Sequence, residues 1–348
     1  MIEWSIFNEI FTVAFNLLYF LIIIGTIMIV VLDNRNPVKT MAWVLVLFFL
    51  PIVGLIFYFF FGRSKEKLIG RKGFTRLIKR PMAEYQAQKA FKCPEDQHQL
   101  MHFFRNVNNA LPFEGNKTEV YTDGLSMLQS LMKAISKAKH HIHLEFYIFE
   151  DDPVGRLLRD LLIDKAREGV EIRLLYDDVG CWKVPHLFYD EMRGAGIEAR
   201  GFLKVRFPVF TSKVNYRNHR KIVVIDGKVA FTGGMNIALR YMKGFQWGIW
   251  RDTHIKIEGK AVYGLQTAFL TDWYVVDRTL ITSSRYFPEM DSYGNALMQI
   301  VTSDPVGEWR DIMQGLLIAI SSSRKYFYIQ TPYLLPTEPI LMALKTAA

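Results

Sequence analysis

The stretch NHRKIVVIDGKVAFTGGMN at residues 218–236 holds two short β-rich runs that meet at Asp226-Gly227-Lys228. A turn signal between two such runs predicts a β-hairpin. Because side chains alternate along a strand, His219 and Lys221 share one face of the first run, and Asp226 lies on the other. The hairpin would therefore present an imidazole beside an ammonium, which is the first indication of a functional site.

The return run of the hairpin ends in features that suit a bound anion. Gly233-Gly234 lets the backbone approach a ligand closely, and the Asn236 amide can donate a hydrogen bond. An imidazole, an ammonium and an amide that converge on one point suit a phosphodiester. The imidazole attacks phosphorus or moves a proton, while the other groups hold negative charge. For a bare His-x-Lys pair, the alternative is an ordinary strand with two exposed polar residues.

Strands and helices alternate on the N-terminal side of the hairpin, which predicts a layered α/β domain. The predicted helices cover 127–138, 154–167 and 189–193, and the predicted strands cover 142–149 and 170–176. A weak internal echo follows 185 residues later, where an apolar run at 327–334 repeats the strand at 142–149. The echo predicts that a second copy of the unit begins within residues 301–348.

Two uncharged runs lie near the N-terminus, at 10–32 and 40–62, and each is 23 residues long. A spanning helix needs about 20 apolar residues, so the runs predict a transmembrane hairpin with Pro51 as a kink in its second helix. The alternatives are a buried helix of a soluble core and a cleaved signal peptide. Two consecutive runs argue against the first, and the acidic residues before residue 10 argue against the second.

Charge predicts on which side of the membrane the body of the protein lies. The chain has a formal net charge of +9. One acid, Glu66, accompanies the basic residues that follow the second run: Arg63, Lys65, Lys67, Arg71, Lys72, Arg76, Lys79 and Arg80. The positive-inside rule places everything after residue 62 in the cytoplasm. The basic run is either a solvated linker or also a contact for anionic headgroups.

Cysteine and metal-ligand patterns add little to this interpretation. The two cysteines, Cys93 and Cys181, cannot form a disulfide framework, so a reducing compartment is expected. No His, Cys or carboxylate spacing in the sequence suggests a metal site.

The pattern His219-x-Lys221-x4-Asp226-x6-Gly233-Gly234-x-Asn236 resembles the signature of the phospholipase D superfamily. The wider chain is similar to the bacterial cardiolipin synthases of that superfamily. The supporting segments are NPVKTMAW at 36–43, IHLEFYIFEDD at 142–152, WRDTH at 250–254 and TPYLLP at 331–336. The resemblance implies an α/β fold in four parts. These are a two-helix transmembrane hairpin (1–62), a basic juxtamembrane segment and linker (63–112), a phospholipase D-like sandwich lobe (113–300) and the start of a second, incomplete lobe (301–348).

The resemblance also implies a reaction and a place for it. A phosphatidyl group would pass from one phosphatidylglycerol to another through a phosphatidyl-histidine, giving cardiolipin and glycerol without metal or other cofactor. The enzyme would be a multi-pass protein of the bacterial inner membrane with its catalytic part on the cytoplasmic side. Its partners would be anionic phospholipid and the membrane, with no nucleic acid.

The resemblance assigns roles to individual residues. His219, Lys221 and Asp226 form the catalytic motif, with His219 as nucleophile or general acid. Asn236, Gly233 and Gly234 are expected to bind the substrate phosphate together with Lys221. Asp226, on the opposite strand face, more plausibly supports the hairpin than touches substrate.

Two residues of the WRDTH segment are also candidates for a role near the site. Asp252 is the candidate for orienting the His219 ring, with a solvated strand carboxylate as the equal alternative. A lone histidine such as His254 is more often structural.

Members of this family carry two His-x-Lys-x4-Asp motifs that meet at one site. The 185-residue offset places the partner of His219 near position 404, beyond the last residue of the sequence. We therefore expect the sequence to be a fragment. The alternative is a homo-oligomer in which two chains each supply one motif. A phosphodiesterase that acts on nucleic acid and a catalytically inert, lipid-binding membrane protein are the other functional options, and the two apolar runs argue against the nuclease.

Overall fold

A computed structural model describes residues 2–33, 37–58, 62, 97–204, 217–246, 248–303 and 310–348. The predicted basic juxtamembrane segment and most of the predicted linker lie outside these residues. The chain divides into two units: residues 1–68 with 205–216, and residues 69–204 with 217–348.

The first unit is built from apolar helices. Helix α1 (Ile2–Asp33) contains the stretch Ile6–Leu32, which has the length and composition to cross a membrane. The second apolar run divides at Leu50 into α2 (Pro37–Phe49) and α3 (Pro51–Phe57). Because proline has no N–H to donate and its ring displaces the preceding turn, Pro51 starts a new helix. Neither piece has the length to span a bilayer alone, so the predicted second spanning helix is not confirmed.

The second unit is an α/β body around one eight-stranded sheet. Its strands are β1 (Pro112–Tyr121), β2 (His141–Phe146), β3 (Glu171–Asp177), β4 (Glu198–Phe202), β5 (Ile222–Ile225), β6 (Val229–Gly233), β7 (His254–Glu258) and β8 (Ala296–Gln299). Its helices are α4 (His98–Val107), α5 (Gly124–Ser136), α6 (Pro153–Arg167), α7 (His186–Gly194), α8 (Leu239–Lys243), α9 (Val262–Asp277), α10 (Asp311–Ser321) and α11 (Glu338–Ala347).

The strand order is β4-β3-β2-β5-β6-β7-β1-β8. Strands β2, β3 and β4 are parallel to one another, and the remaining pairs are antiparallel. The predicted helices and strands near the hairpin are present, with ends shifted by a few residues. The hairpin is also present: Asp226 and Gly227 have φ of 52° and 66°, and Lys228 N–H bonds to Ile225 O at 3.0 Å. Two positive φ angles are typical of a type I′ turn.

The alternation along β5 buries both of its faces. Val223 and Ile225 belong to the core that α5, α6 and α7 cover, while Ile222 and Val224 belong to the core under α9. Helices therefore lie on both sides of the sheet, as an α/β layered fold requires. The central strands are fixed from both faces, so the residues just before β5 have a rigid base.

The predicted copy of the strand at 327–334 does not form a strand in this structure. Tyr328 is 86% exposed, and Tyr326, Tyr333 and Leu335 are exposed as well. A strand needs a neighbouring strand for its backbone hydrogen bonds, and none of the described strands lies beside this segment. The predicted start of a second lobe is therefore not confirmed as a folded unit.

Candidate active site

His219 and Lys221 lie together at the edge of the sheet where β5 begins. Residues 217–221 have no regular secondary structure, so the predicted first strand starts later than expected, at Ile222. Lys221 Nζ lies 3.1 Å from His219 Nδ1 and donates a 2.7 Å hydrogen bond to the His219 carbonyl oxygen. Lys221 is buried whereas His219 is exposed. The ammonium is therefore held beneath an imidazole that a substrate can reach.

The electrostatic surroundings set the charge of both groups. Partial burial and the neighbouring Lys221 ammonium lower the pKa of His219, while Asp177 and Asp252 oppose the shift. Burial lowers the pKa of Lys221 to about 8, and Asp252 again opposes it. At pH 7 the imidazole is therefore mainly neutral and the ammonium mainly charged. A neutral imidazole can act as a nucleophile, and a charged ammonium attracts a phosphate.

Tyr147 forms one wall of the site and was missed by the sequence analysis. Its ring centroid lies 4.8 Å from that of His219, and Lys221 Nζ lies 5.6 Å from the Tyr147 centroid. The loop after β3 packs tightly on the same residue, because a Cβ at Gly180 would lie 2.0 Å from the Tyr147 carbonyl oxygen. The only signal in the sequence was the position of Tyr147 next to the end of a buried strand.

Gly233 and Gly234 allow the segment before β7 to approach the site. A Cβ at Gly234 would lie 2.0 Å from Asp252 Oδ1, and one at Gly233 would lie 2.5 Å from His254 Cα. Gly234 N–H also bonds to Thr253 O at 2.9 Å. The close backbone approach predicted for a ligand is made here by a neighbouring strand. It places the Asp252 charge where it raises the pKa of both His219 and Lys221.

The two candidates of this segment, Asp252 and His254, differ in burial. Asp252 is partly exposed, and its Oδ1 accepts a 2.7 Å hydrogen bond from Thr253 N–H. His254 is buried, and burial together with the Lys221 ammonium lowers its pKa to about 4. His254 is thus held neutral inside the sheet. The interpretation of Asp252 as the residue that orients His219 stays a prediction.

Asn236 is buried and its amide has partners within the protein. Its Oδ1 accepts a hydrogen bond from Ile148 N–H at 3.0 Å, and its Nδ2 donates to the Tyr241 hydroxyl at 2.6 Å. The first bond joins the segment after β6 to the segment after β2, and the second joins it to α8. The predicted contact of Asn236 with phosphate therefore has to use the amide hydrogen that does not point to Tyr241.

Asp226 lies in the hairpin turn, at the opposite end of β5 from His219. Its carboxylate accepts hydrogen bonds from the backbone N–H groups of Lys139, His140 and His141 at 2.8–3.0 Å. The carboxylate therefore ties the hairpin turn to the start of β2. This is the supporting role that the strand alternation predicts. Of the three residues of the His-x-Lys-x4-Asp motif, the fold brings only His219 and Lys221 together.

Comparison with known proteins identifies the family. Residues 131–273 match the family model described as cardiolipin synthase, PLD-like domain, and residues 17–63 match the phospholipase D-nuclease N-terminal model. The major cardiolipin synthase ClsA of Bacillus subtilis (strain 168) is 38% identical over 97% of this chain and 72% of its own length. The chain belongs to the cardiolipin synthase family. Membership confirms the resemblance drawn from the hairpin motif.

Other members of the cardiolipin synthase family align in the same way. The cardiolipin synthase of Geobacillus sp. (strain WCH70) is 38% identical over 92% of this chain and 65% of its own length. The chain thus spans about two thirds of the length of such relatives. Among solved structures, the phospholipase D family member Nuc from Salmonella typhimurium covers 46% of this chain at 17% identity, with a TM-score of 0.36.

Proposed function

We propose that this protein is a phosphatidyltransferase that converts two phosphatidylglycerol molecules into cardiolipin and glycerol. The observation that carries the proposal is the exposed, mainly neutral His219 imidazole in contact with the buried Lys221 ammonium. Family membership supports the choice of a phospholipid substrate, because the similar proteins of Bacillus and Geobacillus are named cardiolipin synthases.

The contact between His219 and Lys221 suggests how substrate binding prepares the nucleophile. With Nδ1 as the acceptor, the Lys221 ammonium occupies the lone pair of the neutral ring. A phosphate that binds the ammonium in place of Nδ1 releases this lone pair. The substrate thereby frees the nitrogen that attacks it.

The proposed reaction has two displacements at phosphorus. In the first, an imidazole nitrogen of His219 bonds to phosphorus, the bond to the glycerol oxygen breaks, and the departing glycerol oxygen takes a proton from solvent. In the second, the terminal hydroxyl of another phosphatidylglycerol gives its proton to solvent and attacks phosphorus, and the bond to His219 breaks to restore the neutral imidazole. Lys221 offsets the negative charge that develops on the phosphoryl oxygens in both steps.

The roles of the neighbouring residues follow from their positions. Asp252 stabilises the imidazole when it becomes positively charged, since its carboxylate already acts on His219. Asn236 and the backbone at Gly233 and Gly234 complete the phosphate subsite. Asp226 has no contact with substrate and holds the turn.

We also propose that the chain crosses the inner membrane more than once, with the body on the cytoplasmic side. The apolar stretch Ile6–Leu32 and the matched N-terminal family model support membrane attachment. The basic residues between 63 and 80 support the side, because such residues remain on the cytoplasmic face. A cysteine introduced at the exposed position of Lys228 tests this orientation. Its reaction with membrane-impermeant reagents is compared between inverted and right-side-out vesicles.

The test of function uses the full chain purified in detergent with labelled phosphatidylglycerol, scoring both cardiolipin and glycerol. We expect cardiolipin from the wild-type chain and a loss on the order of 10⁴-fold in His219→Ala. His140→Ala is the matched control, because His140 is an exposed histidine at the far end of the sheet. Equal loss in both variants, or release of phosphatidic acid in place of cardiolipin, would contradict the proposal.

The same assay addresses the alternative of a homo-oligomer in which two chains each supply one motif. A rate per chain that rises with the concentration of protein in the detergent micelles indicates a site shared between copies. A rate per chain that stays constant indicates that one chain is sufficient.

A further inference from the structure

The segment that carries His219 is held from behind by two buried carboxyl groups, Glu145 of β2 and Asp272 of α9. Asn218 Nδ2 donates to Glu145 Oε1 and lies 3.4 Å from Asp272 Oδ2. Arg220 Nη1 donates to Asp272 Oδ2. The two residues that flank His219 in the chain are therefore both bound by this acid pair.

The acid pair is deeply buried. Glu145 and Asp272 are each 1% exposed, and burial together with the Asp272 charge raises the pKa of Glu145 well above its ordinary value. With Glu145 and Asp272 both ionised, Glu145 Oε2 has no hydrogen-bond partner among the described residues. A proton on Glu145 Oε2 supplies the missing bond to Asp272. Arg220 then balances the single charge that stays on Asp272.

Residues 217–221 need such a support because they lack strand pairing. The β2–β5 pairing ends with Glu145 opposite Ile222, so no ladder bonds hold the backbone at His219. The Asn218 backbone N–H bonds to Asp177 Oδ2 at 3.1 Å, which leaves the side chain free to bind Glu145. Side chains alternate along extended backbone, so fixing Asn218 and Arg220 on one side sets the direction of His219 on the other.

We propose that Glu145 is a positioning residue, which holds Asn218 through its buried carboxyl group and thereby aims the His219 imidazole at phosphorus. The proposal rests on the function proposed above for His219. Displacement of a reacting group by about 1 Å can cost on the order of 10²-fold in rate. The loss is expected in kcat, because Glu145 touches neither the substrate nor the Lys221 ammonium.

The decisive comparison is between Glu145→Gln and Glu145→Leu. A glutamine keeps an oxygen that accepts from Asn218 and an N–H that donates to Asp272, so we expect kcat within about threefold of wild type. A leucine fills the space, and apolar replacements of buried polar groups are often tolerated in the fold. We expect kcat to fall on the order of 10²-fold in Glu145→Leu, with little change in KM.

The matched control is His143→Asn, on the same strand and the same face. His143 is also buried, but it bonds to Gln266 and Arg173 at the other end of the strand. We expect this variant to lose thermal stability while keeping the kcat of its folded fraction. A wild-type kcat in Glu145→Leu, or an equal loss in Glu145→Gln and Glu145→Leu, would overturn the proposal.

A second readout does not depend on cardiolipin formation. The Cε1–H resonance of His219, assigned by its absence in His219→Ala, reports the ring environment and its pKa in detergent. We expect Glu145→Leu to shift this resonance and Glu145→Gln and His143→Asn to leave it in place. An unshifted resonance in Glu145→Leu would overturn positioning even if cardiolipin forms, and a shifted one would support it even if the wild-type chain forms none.

Discussion

The two ends of the β2–β5 strand pair are equally rich in titratable groups but differ in access. At one end, His141, His143 and Asp226 surround the hairpin turn, and both histidines are completely buried. At the other end, Glu145 and Lys221 are buried but His219 reaches the surface. We call these the sealed end and the open end. The difference teaches that an exposed histidine can act on substrate where a buried charge tunes it. His219 has the buried Lys221 ammonium beside it, whereas the exposed His140 at the sealed end contacts the buried ring of His141.

Burial lowers the pKa of a basic side chain at both ends, but the consequences differ. At the sealed end it keeps histidines neutral, lowering the pKa of His141 to about 4, and the carboxylate of Asp226 serves three backbone N–H groups. At the open end it brings the pKa of Lys221 down to about 8, close to neutral pH. Substitutions at the open end should therefore change the rate, and those at the sealed end should change stability.

After His219→Ala, the largest expected effect is that of Lys221→Met. Removing the ammonium leaves the developing charge on the phosphoryl oxygens without its main partner, so kcat/KM should fall on the order of 10²- to 10³-fold. Thermal stability should not fall, because a buried charge is replaced by an apolar chain of similar length. The measurement is cardiolipin synthesis beside a melting curve in detergent. Lys228→Met, an exposed lysine in the hairpin turn, is the control; a matching loss there would remove the distinction between the ends.

Acid should destabilise the sealed end by about 3 kcal/mol through His141 alone. Burial and the neighbouring His140 lower the His141 pKa to about 4, against the opposing charges of Asp226 and Glu171 and a hydrogen bond from Gln266. Above pH 6.5, where both the folded and unfolded states are deprotonated, the full stability is present. Between pH 6.5 and 4 the unfolded state binds the proton first, so stability falls as pH falls.

Unfolding free energies measured across this pH range check the His141 prediction. His141→Gln should reduce the slope of the unfolding free energy against pH by about one proton. Buried His143 and His254 still contribute to the slope that remains. An unchanged slope would show that the His141 ring already takes up its proton in the folded protein.

Asp226→Ala should lower the free energy of unfolding by about 2 kcal/mol, because three backbone donors lose their acceptor. The rate of the folded fraction should stay within a few-fold of wild type, since the motif aspartate lies away from His219. Asp226→Asn should cost less, as asparagine keeps one acceptor oxygen and tolerates the positive φ of 52°. A large fall in kcat in Asp226→Asn without loss of stability would place Asp226 in the reaction after all.

Local rules predicted the parts of the site that are close in sequence. Alternation paired His219 with Lys221 and put Asp226 elsewhere, and the hairpin signal placed the turn. The partners that lie far apart in sequence could not be predicted: Glu145 and Asn218 are 73 residues apart, and their contact depends on β2 pairing with β5. The amide of Asn236 looked free in the sequence, but Ile148 and Tyr241 bind it in the fold.

The smallest expected effect compares two glycines. At the open end, a Cβ in Gly234→Ala would lie 2.0 Å from Asp252 Oδ1 and push that carboxylate away from His219, so we expect about a tenfold loss of kcat. At the sealed end, Gly227 has a φ of 66° and a Cβ position 2.6 Å from Tyr286 O. Gly227→Ala should therefore cost about 1–2 kcal/mol of stability and leave kcat unchanged. If both variants lose only stability, Asp252 does not act on His219, and the open end is confined to His219, Lys221 and their supports.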